Sequence, residues 1–426
     1  MERKTAVEIL NNIDKNKAFS NIAINEALKR NKGADAAFVR QLVYGVLENR
    51  IYLDYFISKF ITSPVEKVKK NSLNILRLAV YQILYMDSVP DYAAVNEAVE
   101  LAKNTSKGQA PFINGVLRNV LRNKDKVKLP DGRKNPVRRL SIKYSFPKWM
   151  VEYFVNSYGM DFTARYLASA NETPPLTVRA NTMKIRAAEL QKKLEEQGFE
   201  VQPGRNSDNA LIIKGGNLLN TEAFRNGEFS VQDESSMAAV ETLAPEPGDF
   251  LIDLCAAPGG KTIYAGELMK NKGKITACDI YENKLNIVER TAAEHGINNI
   301  SCVCLDASKL NSDFVEAADK IICDVPCSGL GVIRRKPEIK YTKTMDDIKQ
   351  LCKIQYSILK NAAAYLKKGG ALLYSTCTLS PLENEGVINH FMKKHGSENF
   401  HVDVMKQLNP FENGTDGFFI CRITKL

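Results

Sequence analysis

Two cysteines, Cys327 and Cys377, each stand just past a short apolar run, at residues 321–323 and 371–374, and each sits among Pro, Ser, Thr and Gly. A thiol is nucleophilic as its thiolate, and a free thiol has a pKa of about 8.5, so either residue needs activation by its surroundings. A third stretch, DLCAAPGGKT at residues 253–262, follows an apolar run at 250–254 and carries the adjacent glycines Gly259 and Gly260. Such apolar runs read as buried strands. In an open α/β sheet, ligands bind beyond the carboxyl ends of the strands. Loop and thiols are therefore expected at one sheet edge, an arrangement suited to nucleophilic chemistry beside a bound cofactor.

The loop itself admits two readings. Glycine lets backbone approach a ligand closely, and a helix starting near Lys261 would offer unpaired N–H groups; a tight strand–helix turn without a ligand is the plainer alternative. The fragment Gly260–Lys261–Thr262 resembles a phosphate loop, but that motif needs a glycine where Cys255 stands. The dinucleotide pattern G-x-G-x-x-G is also absent. Acids strengthen the ligand reading. Asp253, Asp279, Asp306 and Asp324 fall at four successive expected strand ends, and Asp279 lies where a carboxylate can accept hydrogen bonds from ribose hydroxyls. One such Asp alone would more often form a turn or cap a helix.

The remaining cysteines read differently. Cys278 and Cys323 lie in apolar runs and Cys302 and Cys304 alternate within a strand, so all four are expected in the core. Nine cysteines without paired spacing argue against a disulfide framework and for a reducing, cytoplasmic setting. The four histidines are not spaced with cysteines as a zinc site requires, so no metal is expected.

Positioning these residues requires a doubly wound α/β domain from about residue 233 onward. Strands are expected at 250–254, 275–279, 300–305, 320–324 and 370–376, with helices near 281–295 and 346–367 and a closing strand at 418–423. A β-type run at 176–179, a helix over 186–197 closed by Gly198, and short strands at 199–201, 210–213 and 228–232 suggest a small α+β module. The first third is helical. Val39, Leu42, Val43, Val46 and Leu47 form one apolar stripe, and Ile113, Val116, Leu117, Val120 and Leu121 repeat it. Helices are also expected over 73–86 and 92–104, and the turn-rich LPDGRKNP at 129–136 marks a boundary. The expected domains are 1–135 (helical), 136–232 (linker and small α+β module) and 233–426 (α/β).

Charge divides the chain unevenly. Residues 1–140 hold 25 Lys/Arg against 14 Asp/Glu, while the rest hold 34 against 35. The densest basic run reaches from Arg118 to Arg139, opposed by Asp125 and Asp131 alone. It reads either as phosphate-backbone contact or as a solvated linker. No apolar run approaches the ~18 residues of a membrane span, and the opening MERKTAVEILNNIDK is polar and amphipathic rather than a signal peptide.

Taken together, DLCAAPGGKT, DVPCSGLGVIRRKPEIK, YSTCTLSPLENE and GTDGFFICRI closely resemble the RNA cytosine-C5 methyltransferases, and the resemblance covers residues 233–426. FVRQLVYGVLENRIYLDYFI at 38–57 resembles the NusB fold, an RNA-binding helical domain. That fusion is similar to bacterial 16S ribosomal RNA methyltransferases of the B type. Val325 stands where alanine is common in the family and Thr378 where serine is common, and neither changes a reacting atom.

The resemblance implies an all-α NusB-like domain, a small α+β RNA-binding domain and a Rossmann-like methyltransferase domain. It implies S-adenosyl-L-methionine as methyl donor and 16S rRNA as partner, with no membrane or metal and a monomeric chain. Cys377 would attack the base and Cys327 would assist release. Cys255, Ala256, Ala257, Pro258, Gly259, Gly260 and Lys261 would hold the methionine part of the cofactor, Asp279 its ribose and Asp306 its adenine. Asp324 would bind the cofactor or the base edge. The competing assignment makes Cys327 the attacking thiol, because DNA cytosine methyltransferases use the cysteine of a Pro-Cys pair. Two rival functions remain: the same chemistry on tRNA, and a non-catalytic ribosome-assembly factor, against which the intact cysteine pair speaks.

Overall fold

The apolar stripes of the first third each close against a neighbouring helix. In the computed structural model, which describes residues 1–396 and 398–426, Val39, Leu42, Val43, Val46 and Leu47 are all at most 1% exposed along the helix Ala36–Ile57. Asp35 starts that helix by accepting hydrogen bonds from the Ala37 and Phe38 amides. Gly45 lets the helix Lys70–Tyr85 approach: a Cβ there would lie 1.9 Å from the Tyr81 ring. Polar groups inside this bundle are paired. Arg77 grips Asp54 with two bonds of 2.6 and 2.7 Å, and Arg50 meets Asp14 at 2.6 Å.

The chain divides into two compact units, Met1–Glu172 with Ile333–Thr342, and Thr173–Val332 with Lys343–Leu426. The helical unit thus continues past the turn-rich segment through the helices Pro136–Tyr144 and Lys148–Ser169. It also takes in the second half of the DVPCSGLGVIRRKPEIK stretch. There Glu338 accepts from the Ser20 amide (3.1 Å) and hydroxyl (2.8 Å). Lys340, 1% exposed, donates to the Glu48 carbonyl and Asn171 Oδ1 and lies over the Phe146 ring. Burial pulls the Lys340 amine down to about 7 and pushes the Glu48 carboxyl up to about 7.

The second unit contains two sheets. Strands β1 (Leu176–Ala180), β2 (Glu200–Pro203), β3 (Ala210–Lys214) and β4 (Phe229–Val231) form an antiparallel sheet in the order β2-β3-β1-β4, with the helix Ala187–Glu195 against it. The larger sheet comprises β5 (Phe250–Asp253), β6 (Lys274–Asp279), β7 (Ile300–Cys304), β8 (Ala318–Asp324), β9 (Leu366–Thr376), β10 (Phe400–Leu408) and β11 (Phe418–Lys425). Its order is β10-β11-β9-β8-β5-β6-β7; β5 to β9 run parallel, and β11 is antiparallel to both of its neighbours, β9 and β10.

Side chains alternate between the faces. Ile321, Cys323, Leu372, Tyr374, Phe419 and Cys421 join a core with the helices Met345–Tyr365 and Glu385–His395. Ile322, Ala371, Leu373, Phe418 and Ile420 join a second core with the helices Glu234–Leu243 and Gly260–Leu268. Helices on both faces make the sheet doubly wound.

Two expectations need correction. Cys304 is exposed and Cys302 half-buried, because β7 is an edge strand whose outer side lacks a neighbour; Cys278 and Cys323 are buried as expected. The strand β10 has no counterpart among the expected elements. Its FHVDVMKQL sequence mixes charges into the alternation, which an edge strand tolerates and a central one does not.

Candidate active site

The order of strands creates a switch point. From β5 the chain proceeds outward through β6 and β7, then returns to β8 and β9 on the other side. Ligands in such sheets bind at the carboxyl ends beside the reversal. A cavity of about 520 Å³ opens there, lined by Cys255, Ala257, Asp279, Asp306, Asp324 and Pro326 among others. That volume suits a nucleoside-sized ligand.

Asp253 ends β5 but does not line the cavity. It is 1% exposed, accepts from the Thr262 hydroxyl at 2.7 Å and the Cys255 amide at 3.3 Å, and so closes the loop on itself. Burial pushes its carboxyl up to about 7, against the pull of the Thr262 hydrogen bond. Gly259 begins the helix at φ 107°, where an added Cβ would also press Val288 at 3.2 Å. Asp279 accepts from the Ala257 and Tyr281 amides at 3.3 and 3.0 Å, tying the end of β6 to the loop after β5. Asp306 accepts from Ser308, first from the hydroxyl at 2.6 Å, which holds its carboxyl below the usual range.

Lys261 does not itself line the cavity but pairs with a residue that does: its Nζ lies 2.6 Å from Asp324 Oδ2, while Ser375 donates to Oδ1 at 2.8 Å. Ala256, Pro258, Gly259 and Gly260 shape the loop without lining the cavity. Sequence reasoning missed several wall residues. Ile280 and Tyr281 are large, apolar and more than half exposed directly after Asp279, and Lys284 lies over the Tyr281 ring. The signal for them was an apolar pair just past a strand end.

The loops after β8 and β9 bring the thiols together, with Cys327 Sγ and Cys377 Sγ 3.2 Å apart. Gly331 permits this closeness. Its amide donates to the Cys377 carbonyl, and a Cβ on it would stand 1.8 Å from the Gly417 carbonyl oxygen. The neighbouring sulfur and burial push the Cys327 thiol well above the usual range. Behind the pair lies a buried acid, Glu383, with Asn384 beside it; both fall in the quoted stretch YSTCTLSPLENE, where the sequence reading gave them no role. Asn384 accepts from the Thr376 hydroxyl and donates to the Thr378 carbonyl.

The small antiparallel sheet also reaches this region. Arg179 of β1 is fully buried, pairs with Glu267 at 2.7 Å, and donates to the Gly260 carbonyl (3.0 Å) and to Gln232. Removing one partner of such a buried pair costs about 3–5 kcal/mol, because the other charge is left uncompensated.

Against known proteins, residues 240–424 match the family model described as 16S rRNA methyltransferase RsmB/F, residues 1–122 the NusB family, and residues 146–218 the ferredoxin-like domain of RsmF/B-like methyltransferases. The chain is 40% identical to "Probable ribosomal RNA small subunit methyltransferase B" of Bacillus subtilis (strain 168), covering 99% of this chain and 98% of that protein. It belongs to the RsmB/F methyltransferase family. A relative from Photorhabdus laumondii, "Ribosomal RNA small subunit methyltransferase B", is 32% identical over 92% of this chain and 91% of its own length. The crystal structure of PH0851 superposes with a TM-score of 0.82 at 28% identity, covering 100% of this chain and 99% of that one.

This methyltransferase uses S-adenosylmethionine, and the cavity fits it. Three carboxylates line it, which suits a molecule with hydroxyls and cationic centres, while Ile280, Ile354 and Ile358 offer an apolar wall suited to a flat ring. Among the described residues, no group of three or more His, Cys, Asp or Glu is placed to hold a metal, and no helix is long and apolar enough to cross a membrane.

Proposed function

We propose that the chain methylates carbon 5 of a cytosine in 16S ribosomal RNA through a covalent adduct with Cys377. The single observation that carries the reading is the 3.2 Å approach of Cys327 and Cys377 at the ends of adjacent parallel strands. Carbon 5 of cytosine is a weak nucleophile. Attack by the Cys377 thiolate forms a sulfur–carbon bond at carbon 6 and moves the ring π electrons so that carbon 5 becomes enamine-like. S-adenosylmethionine, which Asp279, Asp306 and the loop residues Cys255 and Ala257 would hold, would supply an electrophilic methyl group to that carbon and leave as the neutral thioether S-adenosylhomocysteine. Asp324, paired with Lys261, stabilises protonation at N3 while the base is saturated. Cys327 then assists removal of the carbon-5 proton, directly or through a base; the double bond re-forms and the Cys377 sulfur leaves. The target base must be unstacked to reach the site.

The basic helical unit would supply the phosphate contacts that dock rRNA, and the reaction would take place in the cytoplasm. Bisulfite mapping of total RNA from cells with and without the gene tests the reading. One 16S cytosine should lose its methyl mark in the deletion. A mark lost from tRNA would transfer the reading to that substrate, and no lost mark would end it.

A further inference from the structure

Two thiols at 3.2 Å raise a question of division of labour: only one should attack, and something must distinguish them. Glu383, at the end of the loop that carries Cys377, also reaches the Cys327 loop. Its Oε1 accepts from the Ser328 amide at 2.7 Å and from Gln355 Nε2 at 3.1 Å. Its Oε2 accepts from the Ser328 hydroxyl at 2.5 Å and, at 3.5 Å, from the Thr378 hydroxyl. Ser328 directly follows Cys327 and Thr378 directly follows Cys377, and their hydroxyls meet at 2.8 Å. Glu383, Ser328 and Thr378 are each at most 1% exposed.

We infer that Glu383 is a positioning residue that holds the two cysteine loops in register and so gives the paired thiols unequal reactivity. The inference rests on the proposed function and adds to it the group that separates the two sulfurs.

The donor set suits a carboxylate at Glu383. A backbone N–H and an amide N–H both point at Oε1, and neither can accept a proton. Burial pushes the Glu383 carboxyl up, and the hydrogen bonds from Ser328 and Gln355 oppose that push by favouring the charged form. Two short bonds from Ser328 tie the carboxyl to the Cys327 loop, while Thr378 and Ser380 tie it to the Cys377 loop. The ionisable groups acting on Cys327 are Cys377 and Glu383, and both disfavour its thiolate. Glu383 also acts on Tyr374 and Cys352, two acids that burial keeps protonated, the Cys352 thiol being pushed up to about 11. Gln355, whose amide also donates to the Pro326 carbonyl at 2.9 Å, braces the carboxyl from the helix Met345–Tyr365, and Tyr374 of β9 braces the Glu383 backbone by donating its hydroxyl to the backbone carbonyl.

The test reads the thiols directly, without RNA. Full-length protein and Glu383→Gln are treated with iodoacetamide across pH 6–9, and alkylation at Cys327 and Cys377 is followed by peptide mass spectrometry. In the wild type, Cys377 should react at least tenfold faster than Cys327 at pH 7.5. In Glu383→Gln, the Cys327 profile should move to lower pH and the preference should shrink to within threefold. An unchanged preference would overturn the inference. A second variant, Ser328→Ala, keeps the carboxylate and removes one strut, and its thiols are cross-linked with diamide. Cross-linking should slow at least fivefold as the register loosens, and an unchanged rate would equally overturn the inference. Because neither readout depends on methyl transfer, failure of the proposed function, seen as full methylation by Cys377→Ala, is distinguishable from failure of this assignment.

Discussion

Lys261 and Asp324 form a 2.6 Å ion pair across 63 residues of sequence, joining the first turn of the helix after the glycine loop to the strand end that leads to Cys327. Lys261 is 11% and Asp324 31% exposed at the side chain, so the pair is shielded enough to act as a tether. It couples the loop proposed for S-adenosylmethionine to the residues proposed for the base.

From this tether, Lys261→Met is expected to lower kcat/KM for RNA methylation by roughly a hundredfold, the scale on which a misplacement of about 1 Å reduces rates. Lys261→Arg keeps an ion pair and should recover most of that loss. Methyl incorporation under single-turnover conditions is the measurement. Equal activity of the Met variant would show that Asp324 holds its position without the amine.

The two thiols make opposite predictions when removed. Cys377→Ala should abolish methyl transfer while leaving S-adenosylmethionine affinity near the wild-type value. Cys327→Ala should still permit attack but stall elimination, giving a slowly migrating, nuclease-sensitive RNA–protein band on a denaturing gel. A band from Cys377→Ala instead would exchange the two roles.

The basic helical unit offers a third prediction. Arg139 is a poor probe because its guanidinium donates to the Pro130 carbonyl at 2.9 Å, whereas Lys134 and Arg138 are exposed. Charge reversal at Lys134 and Arg138 should weaken RNA binding without changing cofactor affinity. The slope of log affinity against log salt should become shallower by about 0.7–0.9 for each phosphate no longer neutralised. Binding titrations at several salt concentrations read this, and an unchanged slope would mean that these two side chains are merely solvated.

Acid should destabilise the second unit through His295. Burial, with Arg179 and Lys184 adding to it, pulls its imidazole from 6.5 down to about 4. Above pH 6.5 it is neutral in both folded and unfolded chains. Between pH 6.5 and 4 the unfolded chain takes up the proton first, so stability falls as pH falls through this window. The shift corresponds to a loss on the order of 3 kcal/mol. Urea denaturation at pH 7.5, 5.5 and 4.5 should show a flatter pH dependence for His295→Gln than for the wild type. Parallel curves would contradict the assignment.

Much of the architecture was legible in the chain itself. The strands that end in Asp253, Asp279 and Asp324, the helices between them and the apolar stripe of Val39–Leu47 are encoded by periods of two and 3.6, which act over a few residues. The glycine loop and the two cysteines were likewise visible, because their chemistry is carried by residue type and by position just past a strand. Partner choice for buried polar groups was not. Glu383 meets Ser328 across 55 residues, Arg179 meets Glu267 across 88, and Glu338 meets Ser20 across 318. Nothing local distinguishes such a side chain from a solvated one; only the packed fold excludes water around it and brings a partner from a distant segment within reach. The same holds for Cys304, whose strand has the look of a core strand, while its exposure follows from β7 standing last in the sheet. Sequence by itself determined the elements and the reactive groups, through short-range periodicity and chemistry. The tertiary structure decided which groups face one another, because desolvation and strand order arise only when distant segments pack.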